Sequence, residues 1–406
     1  MKILLVEPIY HWEGHPRPYA ERLATALREN GADVEITTFV GDLGEETRCE
    51  GRVRLWRAIP AWAQGPALVP WKGRGRSLRS ALVARTWEGV CTVWDALRRT
   101  RAIPEVVLHV LDGPELPVMS VLATARRRAV AYNLNSPPHD PPDARTATAR
   151  ARTKLRRVAL QRNAIAFICH SDEVAASYAA RETHPLYTIP WGVDEGRIQD
   201  RVAARRDLGL PARHILLAFG VNHDRKNVEV IFEALARLPE DVMLLWVGRV
   251  VDRDPSRDPY QLAETWGVRN RTVVVDEFIP DEDLAGYFSA ADAAILSYKK
   301  NFLGASGVLS QAARFQLPVV AADVGQLGQL VRRWGLGETF AAGDSEDLRE
   351  KTVAVLTQGE RSREQMCQRI RNYASQFSWD VVAKNHLAVY DALLERSRAM
   401  ANEVRA

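Results

Sequence analysis

The chain has 406 residues, a length typical of two domains. Hydrophobic residues make up 46% and charged residues 26% of it, which excludes a collagen-like or disordered protein. The 55 basic and 51 acidic residues leave a formal charge of only +4, so composition does not indicate a nucleic-acid-binding protein. The four cysteines form neither a CxxC pair nor a metal-ligand spacing, which favours reduced thiols over a zinc site or a disulfide framework.

The first apolar run ends at Glu7 and Pro8 and is shorter than the apolar region of a secretory signal. No window of the sequence approaches the roughly 18 consecutive apolar residues of a membrane span. We therefore expect a cytoplasmic protein, either free or bound peripherally at the inner face of a membrane.

The first half of the chain alternates strands with helical segments. Residues 2–6 form a short apolar strand, and 34–39 form a second one. Between them Tyr19, Leu23 and Leu27 recur at helical spacing. Further strands are predicted at 105–111, 129–134, 164–169 and 186–189. This order predicts a doubly wound domain with a parallel sheet.

A segment rich in tryptophan and basic residues, about 54–97, interrupts this pattern. Its tryptophans are Trp56, Trp62, Trp71, Trp87 and Trp94, and its basic residues include Arg54, Arg57, Lys72, Arg74, Arg76, Arg79 and Arg85. Tryptophan beside basic residues suits a membrane headgroup layer or a stacked sugar. An insertion that packs its indoles on the first domain is the alternative, and liposome flotation distinguishes the two.

The same alternation restarts in the second half, after a Pro- and Gly-containing boundary at 188–194. A helix is predicted at 228–238, and strands are predicted at 215–219, 242–247, 272–275, 293–296 and 319–322. No short-period sequence repeat is present, so the architecture repeats and the sequence does not.

A glycine-rich entry into a helix follows the fourth strand of this series. Gly304, Ser306 and Gly307 precede a helical stretch that begins near Val308. The first N–H groups of a helix lack intrahelical partners and can bind an anion, and small side chains let a diphosphate approach them. The alternative is a simple N-cap and turn.

Together with other segments, this stretch resembles the retaining, nucleotide-sugar-dependent glycosyltransferases of the GT-B fold, also described as group 1 or family 4-like. The matching segments are Ile189-Pro-Trp-Gly-Val-Asp194, Phe219-Gly-Val-Asn-His-Asp-Arg-Lys-Asn227, Leu245-Trp-Val-Gly-Arg249, Glu277-Phe-Ile-Pro-Asp-Glu-Asp-Leu284, Ala290-Ala-Asp-Ala-Ala-Ile-Leu-Ser297, Pro318-Val-Val-Ala321 and Phe377-Ser-Trp-Asp-Val-Val-Ala383. Each segment is weak by itself, but together, in the family's order, they make a specific resemblance over most of the chain.

The resemblance implies an α/β protein of two Rossmann-like doubly wound domains facing a central cleft. It implies an acceptor-side domain at 1–190, a nucleotide-sugar-binding domain at 191–376, and a C-terminal helix at 377–406 that packs back on the first domain. The implied activity is that of a glycosyltransferase (EC 2.4) that moves a sugar from a UDP- or GDP-sugar to an unidentified acceptor hydroxyl, with retention of anomeric configuration. The alternatives are a catalytically weakened nucleotide-sugar-binding subunit and a nucleotide-sugar epimerase on the same fold.

In this family two basic side chains after the first strand of the second domain bind the donor diphosphate. Lys226 occupies the lysine position, whereas Val221 replaces the usual arginine, so Arg225 is the expected second cation. Two cations opposite a diphosphate stabilise the leaving group, so we expect neither a metal nor another cofactor. The remaining implied contacts are Gly304, Ser306, Gly307 and Val308 for the diphosphate, and Gln311, Phe278, Gly220 and Gly248 for the nucleoside.

The family's two glutamates near the glycine-rich entry are absent. Leu303 and Gln311 stand at their positions. The Gln311 amide can still bond a ribose hydroxyl, but Leu303 cannot replace an acid. The contacts to the donor sugar must therefore differ, or they come from Lys299, Lys300 or Asn301.

On the acceptor side, Asn135 stands where the family often has a histidine, and His139 follows it. We expect His139 to orient the acceptor or relay a proton, because an ordinary imidazole titrates near neutral pH; an exposed, proline-flanked histidine is the alternative. In the N-terminal loop, Gly14 is expected to allow close approach to the donor, and His15 to face donor or acceptor. The expected catalytic residues are thus His139, Asn135 and His15.

Other patterns carry little weight. Asp252-Arg-Asp254 matches the metal-binding Asp-x-Asp pattern, but it lies in a polar loop without a nearby third ligand. Neither GxGxxG nor GxxxxGK occurs, which argues against a dinucleotide oxidoreductase or a nucleoside triphosphatase. Ser306 lacks the GxSxG frame of an esterase.

Overall fold

The computed structural model describes residues 1–7, 16–38, 53–55, 78–101, 103, 105–111, 115–135, 147–179, 184–304 and 306–402. The chain forms two compact units. The first unit consists of Met1–Pro190 and Trp379–Ala406, and the second of Trp191–Ser378.

Strands and helices alternate along both units. The strands are β1 (Lys2–Glu7), β2 (Asp33–Thr38), β3 (Val53–Leu55), β4 (Val106–Val110), β5 (Ala129–Leu134), β6 (Ala164–Cys169), β7 (Leu186–Thr188), β8 (His214–Phe219), β9 (Val242–Val247), β10 (Thr272–Val275), β11 (Ala293–Leu296), β12 (Val319–Ala322) and β13 (Gly337–Phe340). The helices are α1 (Pro16–Glu29), α2 (Leu78–Arg99), α3 (Glu115–Leu122), α4 (Ala147–Arg162), α5 (Asp172–Ala179), α6 (Arg201–Asp207), α7 (Glu229–Arg237), α8 (Pro259–Thr265), α9 (Leu284–Ala290), α10 (Gly307–Arg314), α11 (Gly325–Trp334), α12 (Ser345–Leu356), α13 (Glu360–Gln376) and α14 (Trp379–Asn402).

The first unit contains a parallel sheet of strand order β3-β2-β1-β4-β5-β6-β7. All residues of β4, β5 and β6 are buried, which explains why these strands are continuous apolar runs instead of alternating ones. Helices α1 and α14 pack on each other, while α3 contacts both α2 and α4. Right-handed crossovers place these two groups of helices on opposite faces of the sheet.

A chain of buried hydrogen bonds ties α14 to this sheet. The Tyr390 hydroxyl lies 2.7 Å from His109 Nδ1, and His109 Nε2 lies 2.8 Å from Asn133 Oδ1. The Asn133 amide nitrogen is 3.4 Å from His170 Nε2, and His170 Nδ1 is 2.9 Å from the Ile189 carbonyl oxygen. If the Tyr390 hydroxyl donates to His109 and both histidines are neutral, each hydrogen bond in this chain has one donor and one acceptor. Burial lowers the pKa of His170 to about 4 and that of His109 well below its ordinary value, which keeps both rings neutral.

The second unit contains a parallel sheet of strand order β10-β9-β8-β11-β12-β13. Strand β9 reads VMLLWV and is buried throughout. Its Trp246 and the α7 residue Phe232 are among the largest fully buried side chains of the unit's core. Large apolar side chains from strands and helices therefore fill the space between the layers, as expected for a doubly wound domain.

The two predicted parallel-sheet domains are confirmed, and each predicted strand appears with bounds that differ by at most one residue at either end. Helices α2 to α5 and the short strands β3 and β13 were not predicted in detail, because strong periodicity is absent there. The structure describes only β3 and the residues from 78 onward of the Trp/Arg-rich segment. Most of the contacts expected for its tryptophans therefore lie outside the described residues. Within the described part of the chain, no helix is long and apolar enough to cross a membrane.

Candidate functional site

The candidate site lies at the carboxyl ends of β8, β9 and β11. Strand β8 is the first strand of the second unit, and the chain proceeds from it to β9 on one side and later to β11 on the other. Such a reversal of strand order is the point where open α/β sheets bind ligands. The loop that follows β8 carries Arg225 and Lys226, and it pairs with the chain after β11 through a bridge between Lys226 and Tyr298.

Lys226 points back over the end of its own strand. Its Nζ donates a hydrogen bond of 2.5 Å to the Phe219 carbonyl oxygen and lies 5.6 Å from the ring centroid of Trp246. Among the described residues no carboxylate forms a salt bridge with it. Burial without a compensating anion lowers the pKa of Lys226 to about 7. The side chain is therefore a lysine that titrates near neutral pH and has no counterion in the described part of the chain, at the place where an anionic ligand is expected.

A small cavity separates Lys226 from the base of α10. Its lining includes Lys226, Trp246, Tyr298 and Val308. The Trp246 Nε1 is buried and has no hydrogen-bond partner among the residues that the structure describes. Two of the predicted diphosphate contacts, Lys226 and Val308, thus border the same space.

Tyr298 is a site residue that the sequence analysis missed. Its hydroxyl lies 3.0 Å from Ser306 Oγ, and its ring stacks on Phe302 with centroids 4.0 Å apart. Burial raises the pKa of the Tyr298 phenol, against the opposing effects of the Ser306 hydrogen bond and the Arg225 charge. The signal that could have found it is its position directly after a buried strand, at the edge where the other site residues lie.

The beginning of α10 is positioned by this contact. Ser306 is the N-cap residue with an extended backbone, yet its side chain makes no capping hydrogen bond. Its hydroxyl is instead directed to Tyr298, so the first turn of α10, with Gly307 and Val308, has no side-chain cap. Uncapped N–H groups at a helix start can bind an anion. Gly304 lies just ahead of this turn, and a Cβ atom on it would lie 3.4 Å from the Phe302 ring.

Gly220 and Gly248 let two strand ends approach one another. Both have positive φ angles, 90° at Gly220 and 139° at Gly248. A Cβ atom on Gly248 would lie 2.7 Å from the Gly220 carbonyl carbon, and one on Gly220 would lie 3.2 Å from Lys226 Nζ. A larger residue is therefore excluded at Gly248 by the neighbouring backbone as well as by its φ angle, whereas at Gly220 the positive φ is the main constraint. The structure brings these two predicted residues together with Lys226.

Two predicted nucleoside contacts lie on neighbouring segments. Gln311 is half-buried on α10, and its Oε1 lies 3.4 Å from Nη1 of Arg314, which in turn bonds both carboxylate oxygens of Asp281 at 2.9 Å. Phe278 follows β10 and is 66% exposed, a large area for an aromatic ring in water.

Arg225 is exposed beside Lys226, and its carbonyl oxygen accepts a hydrogen bond from the backbone N–H of Lys299.

The Asp-x-Asp loop is held by hydrogen bonds and ion pairs within the unit. The fully buried Asn222 accepts hydrogen bonds from the N–H groups of Val251 and Asp252 and donates to the carbonyl oxygens of Asp252 and Arg257. The Arg257 guanidinium pairs with both Asp252 and Asp254. Among the described residues no group of three or more His, Cys, Asp or Glu side chains could hold a metal ion. That the protein acts without a metal stays a prediction.

The predicted catalytic residues of the first unit are placed only in part. Asn135 follows β5, is exposed, and its amide nitrogen donates a 3.0 Å hydrogen bond to the Leu111 carbonyl oxygen. His139, His15 and Gly14 lie outside the described residues. Their roles, like those of the other site residues, stay predictions.

Part of the second unit matches a known protein family. Residues 213–358 match the model of the family described as Glycosyl transferases group 1. A D-inositol 3-phosphate glycosyltransferase of Geodermatophilus obscurus is 30% identical over 226 residues, which cover 52% of this chain and 48% of the relative. The corresponding protein of Xylanimonas cellulosilytica is 31% identical, with 53% of each chain covered. The chain thus matches only about half the length of these curated relatives.

Solved structures match over almost the whole chain. Sucrose-phosphate synthase from Thermosynechococcus elongatus superposes with a TM-score of 0.74 at 21% identity and covers 98% of this chain and 100% of its own. Anabaena HepE, solved in complex with UDP, gives a TM-score of 0.70 at 16% identity, with 97% and 100% covered.

The predicted fold class, two Rossmann-like domains of the GT-B type, is confirmed. The resemblance to group 1 glycosyltransferases is confirmed as well, because residues 213–358, which carry the candidate site, match the model of that family.

Proposed function

We propose that the protein is a glycosyltransferase that moves a sugar from a nucleoside diphosphate sugar to an acceptor hydroxyl. The observation that carries this proposal is Lys226, a desolvated lysine at the strand-order reversal of the second unit that pairs with no carboxylate among the residues the structure describes. The uncapped start of α10 lies beside the same cavity. A diphosphate is the ligand that satisfies both, because it accepts charge-assisted hydrogen bonds from an ammonium group and from backbone N–H groups.

In the proposed reaction the bond between the anomeric carbon and the diphosphate oxygen breaks as the acceptor oxygen bonds to that carbon. The negative charge that develops on the leaving diphosphate is stabilised by Lys226, Arg225 and the N–H groups of Gly307 and Val308. The acceptor proton passes to an oxygen of the leaving diphosphate, and the sugar retains its anomeric configuration. Because these groups neutralise the leaving group, we propose that turnover needs no metal ion and resists EDTA.

UDP-sugars are the first donors to test. HepE, a protein of the same fold, was solved with UDP and with UDP-glucose. The exposed ring of Phe278 and the half-buried amide of Gln311 are the proposed contacts for the base and the ribose. A GDP-sugar is the second donor class, and the acceptor is an alcohol whose identity the same assay must find.

The test is incubation with UDP-, GDP- and dTDP-sugars, followed by mass spectrometry of the released nucleoside diphosphate. We expect slow donor hydrolysis without acceptor, and its loss in Lys226→Ala. Arg333→Ala, which removes an exposed arginine of α11 in the same unit, is the matched control and should hydrolyse donor at the wild-type rate. Equal rates in both variants would contradict the proposed role of Lys226.

A second function is favoured by one observation, the presence of Leu303 and Gln311 where the family has glutamates. A protein that binds the nucleotide-sugar without turning it over would serve as a regulatory or partner subunit. In the same assay it would retain donor affinity by calorimetry and release no nucleoside diphosphate with any donor.

A further inference from the structure

Helix α4 in the first unit is unusually basic. Its 16 residues, ATARARTKLRRVALQR, include six arginines or lysines and no acidic residue. The deficit of acids extends beyond the helix, because the described residues 118–135 and 147–171 contain no aspartate or glutamate at all. The chain as a whole carries a formal charge of only +4, so this concentration is local.

The exposed cations of α4 form one stripe. Arg150, Lys154 and Arg157 are exposed and follow the i, i+4, i+7 spacing that places side chains on one side of a helix. None of the three has an ion-pair partner among the described residues. Arg156, by contrast, turns inward over the ring of Phe167, with its guanidinium carbon 4.6 Å from the centroid.

The stripe continues past the end of the helix. The backbone N–H of Arg127 bonds the Arg162 carbonyl oxygen at 2.7 Å, which places the turn at 126–128 directly beside the end of α4. Arg126 and Arg127 are exposed in this turn and have no acidic partner among the described residues. We call the surface of Arg150, Lys154, Arg157, Arg126 and Arg127 the basic face.

Ordinary solvated helices mix charges of both signs, because like charges at i, i+4 destabilise a helix and opposite charges stabilise it. The basic face has the unfavourable arrangement along about 10 Å of helix, from Arg150 to Arg157 at 1.5 Å per residue, and Arg126 and Arg127 extend it beyond the helix. An anionic surface of similar extent offsets this repulsion, whereas a small anion engages only one or two of the cations. The charge therefore fits an extended polyanionic partner.

The kind of surface is indicated by Trp94 on α2. Its side chain is 54% exposed, and α2 belongs to the same group of packed helices as α4, since α3 contacts both. An exposed indole on the side of a sheet that carries many cations suits the boundary between lipid headgroups and acyl chains. A nucleic acid would bind these cations equally well. It would not explain the exposed Trp94, because a single indole contributes to nucleic-acid binding mainly by stacking on a base.

We propose that the basic face docks the protein on a membrane surface rich in anionic lipids, with Trp94 entering the headgroup layer. Each basic residue near such a surface strengthens binding about fivefold at moderate ionic strength. Three cations of α4 together account for an effect on the order of 100-fold.

The test is sedimentation of the full chain with vesicles of phosphatidylcholine alone and with added phosphatidylglycerol. The test variant combines Arg150→Gln, Lys154→Gln and Arg157→Gln, which preserves helix propensity. The matched control combines Arg197→Gln, Arg333→Gln and Arg361→Gln, three exposed arginines of the second unit that cause the same change in net charge. Equal melting temperatures verify that both variants are folded.

We expect the wild type and the control to bind phosphatidylglycerol vesicles within about threefold of each other, and the α4 variant to bind on the order of 100-fold more weakly. Trp94→Ala should weaken vesicle binding but leave its salt dependence unchanged. Absence of wild-type binding to anionic vesicles, or equal loss in both triple variants, would overturn the proposal. So would binding of duplex DNA that depends on the basic face and is tighter than vesicle binding.

Discussion

The lowered pKa of Lys226 predicts that donor affinity depends on pH in a range where an ordinary lysine does not titrate. Its ammonium is buried, donates to the Phe219 carbonyl oxygen and has no carboxylate partner among the described residues, and burial places its pKa at about 7. Only the charged form binds a diphosphate strongly. Above pH 7 the free protein is therefore largely unprotonated at this position, and donor binding must take up a proton.

The magnitude follows from the pKa. We take the pKa of Lys226 as about 7 in the free protein and as above pH 8.5 in the donor complex. The apparent Kd for the donor then rises about 25-fold between roughly pH 6.5 and pH 8.5. The sign is fixed because deprotonation of the free state competes with binding, so affinity is highest below pH 7. A lysine with an ordinary pKa near 10.4 gives almost no change over the same range.

The assay is isothermal titration calorimetry with UDP-glucose in buffers of different ionisation enthalpy. The expected uptake is about 0.5 proton per donor at pH 7 and about 0.9 at pH 8. Lys226→Arg keeps a charge that does not titrate, and it should bind without uptake and with a flat pH profile. Arg333→Gln, a surface control of the same unit, should keep the wild-type profile.

Two outcomes have different meanings. Wild-type binding with a flat pH profile and no proton uptake would refute the lowered pKa while leaving the proposed function intact. Proton uptake that persists in Lys226→Arg would assign the titration to another group.

Four further predictions concern other parts of the chain. Gly248→Ala should destabilise the second unit by about 2–4 kcal/mol in urea unfolding, more than Gly267→Ala, which has a positive φ of 65° but open space around its Cβ. Asn222→Ala should cost about 1–3 kcal/mol, because it removes a buried amide and leaves half-buried backbone groups of the 251–257 loop without their partner; unchanged stability would show that water replaces the amide. His170 and His386 have pKa values of about 4, below the ordinary 6.5, so the folded state binds fewer protons than the unfolded state between these values. Stability should accordingly fall as pH drops from about 6.5 to about 4, by up to about 3 kcal/mol for each ring, and His386→Gln should flatten the profile measured by thermal melting. Gln311→Ala should weaken donor binding about fivefold, because it removes the proposed hydrogen bond to the ribose, and the same calorimetry would detect this loss.

The sequence allowed the fold class to be predicted because most strands of both sheets are buried on both faces. Continuous apolar runs such as 164–169 and 242–247 are readable without any knowledge of their neighbours. Helix α4 was not predicted, since arginine and lysine replace the apolar stripe that identifies a helix, and its half-buried Leu155 and Val158 are too few to set a period. Long-range pairings were equally hidden: nothing near His109 in the sequence indicates that its ring bonds Tyr390 on the last helix.

The sequence identified the segments that form the candidate site but did not indicate the charge state of its side chains. Arg225 and Lys226 are adjacent basic residues in the sequence and were expected to act as a pair, yet the structure leaves Arg225 exposed and turns Lys226 inward over its own strand. Their difference arises from the bridge to Tyr298, a contact between segments about 70 residues apart. Leu303 and Gln311 add no carboxylate to this part of the second unit. Desolvation brings the pKa of Lys226 to about 7, and among the described residues no carboxylate pairs with it. The free site therefore holds this lysine partly neutral, and in the proposed complex the diphosphate is the anion that charges it.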